Sequence, residues 1–385
     1  MRTVRMLDLH AEFKLFAEEI RAAVHDVLES QRFIGGPAVG EFEAAIADRF
    51  RVKHAVAVSS GTDALLGALM AIGVSRDDEV ILPSFTFFAT AGVVWRLGAK
   101  PVFVDIDRRT FTIDPTLIEA AITPKTKAIM PVHLFGQCAE MDAINAIAKR
   151  RGLKVIEDAA QAIGAIYRGR CAGTLGHAAC LSFYPTKNLG GFGEGGMILT
   201  DDDELGLVAR QLRHHGESRR YVHERVGGNF RLDTMKAAIL VVKLRYLDEF
   251  TKRRRANAAL YDAMLADAGV KTPFVPDGHE PVYHQYTILT DQRDELIEFL
   301  KVRGVDAGVY YPVPLHRQEC FASLGYHTGS LPITEQVCGR VLSLPCHPML
   351  SEDDIRYTTD IILEFASKSS EWPIVNSELR IANSE

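Results

Sequence analysis

Lys187 stands in the stretch "LSFYPTKNLGGFGEGG" (181–196), between a short apolar run and a glycine-rich segment. Such a lysine has two chemical uses: its ammonium can grip a phosphate, or its free amine can form an imine with a carbonyl. The glycines make no dinucleotide fingerprint, because they lead into the strand-like "MILTDD" rather than opening a helix. Other groups narrow the choice. Ser60, Gly61 and Thr62 follow the strand-like "HAVAV" and open a helical pattern, so their amides suit an anion; the plainer reading is a helix cap. This is not a P-loop, since no Gly-Lys-Ser/Thr follows. Asp158 ends "KVIED", with Gln161 three residues on, and a carboxylate there either caps a turn or meets a cationic ligand group. "ILPSFTFFAT" presents Phe85, Phe87 and Phe88, rings that fill a core or lie flat on a ring-shaped ligand. An anion cradle, a stacking ring, a carboxylate for a pyridinium and an imine-forming lysine together meet the needs of pyridoxal 5′-phosphate. On that combination Lys187 reads as a covalent anchor.

These groups need a scaffold that brings strand ends together. Seven short apolar runs alternate with helical patterns: "HAVAVSS", "DEVILPS", "KPVFVDID", "TKAIMPVH", "LKVIEDAA", "ACLSFYP" and "GGMILTDD". Near-continuous apolar strands separated by helices imply a mostly parallel sheet covered on both faces, an α/β architecture. Ligands of such sheets gather at the carboxyl ends of the strands, where the candidate residues fall. After Asp233 the pattern turns to long helices, then to a second α+β segment with "YHQYTILT" as a strand and "DELIEFLKVRG" as a helix. The expected division is a large domain over 1–250, a small C-terminal domain over 251–366 and a polar tail over 367–385.

The bulk properties set limits. The 385 residues are 47% hydrophobic and 24% charged, ordinary values for a globular chain of about two domains. A net charge of −6 gives no reason to expect nucleic acid, and no apolar run is long enough to span a membrane. The charged start "MRTVRMLDLHAEF" lacks a signal-peptide core, so a cytoplasmic location is expected. Cysteines 138, 171, 180, 320, 338 and 346 are scattered without a CxxC, the pattern of reduced thiols rather than of a disulfide framework or a zinc site. No metal is expected. "VDID" reads as a turn after a strand, "RHHGESRRYVHE" (213–224) as a loop rather than a histidine metal cluster, and "KRRRA" (252–256) as a solvated helix face.

The motifs, in order, resemble the sugar aminotransferases of the DegT/DnrJ/EryC1/StrS family, which have the aspartate-aminotransferase-like fold type I. The resemblance rests on "SSGTDAL", "PSFTFFAT", "PVHLFGQCAEMD", "EDAAQA", "SFYPTKNLGGFGEGG", "GGNFRLD", "YHQY", "YYPVPLH" and "LPCHP", and it spans about residues 5 to 365. It implies that Lys187 carries the cofactor, that Asp158 bonds the pyridine nitrogen and that Gln161 approaches the phenolic oxygen. Phe87 would stack on the ring, while Ser60, Gly61, Thr62 and Ser182 hold the phosphate. Asn229 would reach the cofactor of a partner subunit, which implies a homodimer with shared active sites. On the substrate side it implies Phe33, Tyr310, Tyr311, His316 and Arg219. The implied reaction moves an amino group from L-glutamate to a keto group of a nucleotide-linked (dTDP, UDP or GDP) deoxysugar, in amino-sugar biosynthesis for a surface polysaccharide or secondary metabolite. Alternatives are a cofactor-dependent sugar dehydratase, a cyclitol aminotransferase and a non-catalytic sensor. Lys187 argues against the dehydratase, since some relatives that remove a hydroxyl have histidine there. Two departures are Glu194 in "GEGG", where many members have aspartate, and Cys138, where proline is common.

Overall fold

Each of the seven apolar runs forms a strand of one sheet, because alternate residues of every run find an apolar layer to enter. A computed structural model describes residues 2–371. The strands are β1 (His54–Val58), β2 (Glu79–Pro83), β3 (Lys100–Val104), β4 (Thr126–Ile129), β5 (Lys154–Asp158), β6 (Ala178–Ser182) and β7 (Gly196–Thr200), in the order β1-β7-β6-β5-β4-β2-β3. All hydrogen-bonded neighbours from β3 to β6 run parallel, and β7 runs antiparallel to both β6 and β1. On one face Ala55, Ala57, Ile81, Leu181, Met197 and Leu199 join a core completed by the helices Pro37–Phe50 and Met141–Arg151. On the other, Val56, Val58, Val80, Leu82, Cys180 and Ile198 pack against the helix Gly61–Ala71 and its neighbours. Both faces are covered, so strands can be apolar throughout. A fully buried side chain of this size contributes about 1.5–3 kcal/mol over an exposed one.

The chain beyond residue 250 builds a second core. The helix Leu247–Met264 crosses the expected boundary and leads to an antiparallel pair, Tyr286–Leu289 with Val341–Leu344, backed by the helices Arg293–Val302 and Glu352–Glu371. Tyr261 and Tyr286 stack inside it at 4.9 Å, beside Ile288, Leu296 and Ile355. The first residues depart from the expected division: Val4 pairs with Val305 and packs in this second core, not in the large one. The expected tail does not begin at 367, because the last helix runs on to Glu371; the rest of it lies outside the described residues. The two units are fastened by buried polar groups. Asp105, just past β3, accepts from Ile333 N at 2.9 Å and Thr334 N at 2.8 Å, capping the helix Pro332–Cys338. Among the described residues no helix is long and apolar enough to cross a membrane.

The start of β7 passes so close to the turn after β1 that only glycine fits at 196: an added Cβ would lie 2.2 Å from the Ser60 carbonyl oxygen. Gly196→Ala is therefore expected to destabilise the protein by about 3 kcal/mol. Gly40→Ala, in an exposed helical position where the methyl meets nothing within 4 Å, should gain up to about 1 kcal/mol. Urea unfolding of the two variants against the parent would reveal the opposite signs.

Candidate active site

The carboxyl ends of β1, β5 and β6 open into one cavity of about 470 Å³. Ser60, Gly61, Thr62, Phe87, Asp158, Gln161, Ser182, Lys187, Tyr310 and Tyr311 all line it. The parallel topology brings them together, since successive strands deliver their C-terminal residues to the same edge.

Asp158 is buried at the end of β5. The Thr90 hydroxyl donates to its Oδ2 at 2.8 Å, and Ala160 N–H donates to its Oδ1 at 3.2 Å. Thr90 is itself braced by the Thr86 hydroxyl at 3.1 Å. Burial pushes the Asp158 carboxyl above the usual range, while Thr90, Ala160, Lys187 and His133 act in the opposite direction. Among the described residues no Lys, Arg or His lies within ion-pair distance of it. The strand behind is stiffened by Glu157, which faces away from the cavity and is fully buried. Its carboxylate accepts from Gly173 N, Leu175 N, Gly176 N and His133 Nε2, all at 2.6–2.8 Å. His133 Nδ1 accepts from Ala139 N, so its proton sits on Nε2.

Lys187 projects from the turn after β6. That turn is closed by Lys187 N–H to Tyr184 O and Gly191 N–H to Phe183 O, both 2.8 Å. Burial lowers the Lys187 ammonium to about 8, against the pull of Asp158 in the other direction. His284, also on the cavity, is buried and bonded to Asn188 Oδ1 at 3.3 Å. Burial, with the positive charges of Lys187 and Arg254, pushes it well below the usual histidine value, so it is a neutral ring.

The anion cradle is a helix N-terminus. Ser60 caps the helix Gly61–Ala71: its hydroxyl accepts from Asp63 N at 3.0 Å. The plain cap reading thus holds for its side chain. The first-turn amides of Gly61 and Thr62 have no intrahelical acceptor and border the cavity. A Cβ at Gly61 would come within 2.7 Å of the Ser182 Cβ, so glycine lets β6 and this turn close into one cradle. Gln161 is oriented twice: Oε1 accepts from Phe135 N at 2.7 Å, and Nε2 donates to the Tyr311 hydroxyl at 3.1 Å. The Phe135 N–H fixes the amide orientation. The ring of Phe87, 55% exposed, lies 6.1 Å from that of Tyr311.

Four expected residues are absent from this cavity lining. His316 is corrected outright: it is buried, with Nδ1 on the Ser84 hydroxyl at 2.7 Å and Nε2 on Glu335 at 3.0 Å, fastening the two units instead of facing a ligand. Phe33 is 40% exposed on a loop held to the helix Thr234–Leu244 by Thr234 N–H to Phe33 O. Arg219 is exposed on the hairpin Glu217–Arg219/Val222–His223, and Asn229 bridges to His214 through the backbone. Among the described residues no cluster of metal-binding side chains exists. Cys138 is buried, and burial raises its thiol far above the usual range. Glu194 lines the cavity from an exposed position. The sequence reading missed Thr90 and His284, which stand inside the quoted motifs "PSFTFFAT" and "YHQY", and misassigned Arg254: "KRRRA" is solvated at Lys252 and Arg253, but Arg254 turns inward and is buried.

A buried carboxylate without a cation, an amine of lowered proton affinity and an amide cradle fit pyridoxal phosphate by charge and by shape. The lowered lysine has a direct consequence. Competitive labelling of the apoprotein with acetic anhydride, read by mass spectrometry, should show Lys187 reactivity rising with pH up to about 8 and level above it. An exposed lysine should continue to rise toward about 10.4.

Comparison with known proteins agrees with this geometry. A sequence model of the DegT/DnrJ/EryC1/StrS aminotransferase family matches residues 15–363. A "Pleiotropic regulatory protein" of Geobacillus stearothermophilus is 54% identical, over 94% of this chain and 98% of its own. A UDP-2-acetamido-2-deoxy-3-oxo-D-glucuronate aminotransferase of Pseudomonas aeruginosa is 47% identical, over 92% of this chain and 98% of its own. The crystal structure of S. venezuelae DesV in complex with a ketimine intermediate superposes with a TM-score of 0.93 at 44% identity, covering 95% of this chain and 99% of that one. The chain belongs to the DegT/DnrJ/EryC1/StrS aminotransferase family.

Proposed function

We propose that this chain is a pyridoxal 5′-phosphate-dependent aminotransferase that moves an amino group from L-glutamate to a keto group of a nucleotide-linked sugar, working as a homodimer with shared active sites. The observation that carries the reading is the pairing, in one cavity, of the buried Asp158 carboxylate, which has no direct ion-pair partner among the described residues, with the Lys187 amine. Relatives named as acting on UDP- and dTDP-sugars support the substrate class.

When bound, the cofactor supplies an electron sink that carries the amino group from donor to acceptor. Asp158 holds the proton on the ring nitrogen, because a buried carboxylate is stabilised by a cation beside it. Thr90 and Ala160 keep its two oxygens aimed. Gln161 Nε2 has a second hydrogen, free of Tyr311, for the phenolic oxygen. The amides of Gly61 and Thr62 and the Ser182 hydroxyl take the phosphate, and Phe87 covers the ring and excludes water. Lys187 Nζ, freed by the donor, takes and returns the proton that migrates during transfer; an amine near pH 8 can do both. Residues 1–250 would thus carry the cofactor and 251–366 close over it.

The dimer reading draws on the residues left outside the cavity. Phe33, Arg219 and Asn229 sit on surface segments that also expose Ile34 (59%), Tyr221 (78%) and Val226 (88%). Such apolar exposure suits a partner surface. In this arrangement Asn229 and Arg219 serve the partner's cofactor and the diphosphate of its substrate.

A regulatory reading is favoured only by the names of relatives, a pleiotropic regulatory protein at 54% identity and a sensory transduction protein at 44%. A silent binder has no use for a proton-transferring lysine. Half-turnover separates the two: a catalyst mixed with glutamate loses its lysine-linked cofactor absorbance, and a silent binder keeps it.

Lys187→Ala should lower turnover by at least about 10⁴-fold while the protein still retains pyridoxamine phosphate through gel filtration. Normal turnover in that variant would refute the assigned role. Asp158→Asn should cut kcat by about 10²–10³-fold with the unfolding midpoint unchanged, as read by steady-state kinetics and thermal melting.

A further inference from the structure

Arg254 is charged, 4% exposed and set among the residues that line the cavity. It lies on the long helix Leu247–Met264, on the side of the site opposite in sequence to every cofactor residue. Its hydrogen bonds both leave from Nη1, to the carbonyl oxygens of Tyr283 at 3.2 Å and Cys346 at 2.8 Å. Its Nε has no partner. Among the described residues no carboxylate lies within ion-pair distance of it. Glu12, the one carboxylate whose field reaches it, is itself paired with Lys243 at 2.8 Å. Other titratable groups on this side include Cys346 and Tyr283, each pushed up to about 12 by burial, the neutral His284, and His347, which burial and the charge of Arg254 hold down to about 4. A guanidinium held out of water and without a counter-charge is costly unless an anion is brought to it.

The cofactor phosphate already has a separate cradle at Gly61, Thr62 and Ser182. What remains is a flat cation with Nη1 committed and a buried Nε that lacks a partner, a fork able to pair a carboxylate through two N–H groups. An amino-acid donor such as L-glutamate brings such a carboxylate. We propose that Arg254 is the carboxylate-binding residue for the amino donor. The proposal rests on the aminotransferase reading above. It gives the second core a function: Tyr283 and Cys346 hold the guanidinium in place through their carbonyls, so the donor site is assembled where the small unit meets the cavity.

The test is a calorimetric titration of the holoenzyme with glutarate, a dicarboxylate that lacks the amine and cannot react, alongside UDP-glucose and UDP-glucuronate. In Arg254→Gln the glutarate Kd should rise at least tenfold, with cofactor content and the Kd of UDP-glucose within twofold of the parent. Arg254→Lys, which keeps the cation and a donor for the carbonyls, should lose less and guards against a variant that fails to fold. In the half-reaction, Arg254→Lys should also lose part of the parent's preference for L-glutamate over an amine without a carboxylate. Unchanged glutarate affinity with the cofactor retained would overturn the proposal and leave Arg254 as a structural staple. A loss confined to UDP-glucuronate would overturn it too, assigning the carboxylate to the sugar. A parent holoenzyme that neither binds glutarate nor reacts with glutamate would defeat the aminotransferase reading, and this proposal with it.

Discussion

Asp158 carries its carboxylate at the end of a central strand, bonded to a hydroxyl and one amide, with Lys187 acting on it through space and no direct ion pair among the described residues. Removing a carboxylate from water in this way raises the energy of its charged form, and a positive group brought beside it by a ligand restores it. Much of the surrounding structure serves to keep that demand in place. Thr90 belongs to the helix Ala89–Arg96, so the helix after β2 aims the side chain of β5. Glu157, the preceding residue, faces the other way and gathers three backbone amides and His133. Neighbouring residues on one strand alternate sides, so one carboxylate ties the strand down while the other is presented to the cavity.

Lys187 completes an electrostatic pair that is balanced rather than locked. The enclosed site lowers the ammonium, and Asp158 works against that lowering. The lysine is therefore kept near the proton affinity at which it can give and take a proton at neutral pH. A direct ion pair would have fixed both charges and left neither available. The tight turn that holds Lys187 depends on Gly190, where a Cβ would meet the Pro185 carbonyl oxygen at 2.2 Å. Glycine in this run serves close backbone approach, which is why it forms no phosphate loop of its own.

The strands, the lysine turn and the cofactor set were legible because each depends on neighbours in sequence. Apolar runs announce buried strands, and a carboxylate, a helix-opening Ser-Gly-Thr and a lysine at strand ends announce the edge where ligands collect. His316 was placed by resemblance alone, and no local pattern could show that Ser84, from the large unit, and Glu335 engage both its ring nitrogens. Val4 was misplaced on the same account, its pairing with Val305 being invisible to any local pattern.

Residue order and type alone determined the α/β sheet and marked the edge where ligands collect, with Lys187 and Asp158 as its candidates; the part given to Gln161 came from the family resemblance. The first features follow from hydrophobic periodicity and from the chemistry of single side chains. Folding decided which groups orient them: Thr90 on Asp158, Phe135 and Tyr311 on Gln161, and carbonyls of the second core on Arg254. It also decided that Arg254 is buried without an anion, because burial and the lack of a counter-charge are properties of three-dimensional neighbours. A charged residue in "KRRRA" reads as solvated until the packing of the small unit removes its water.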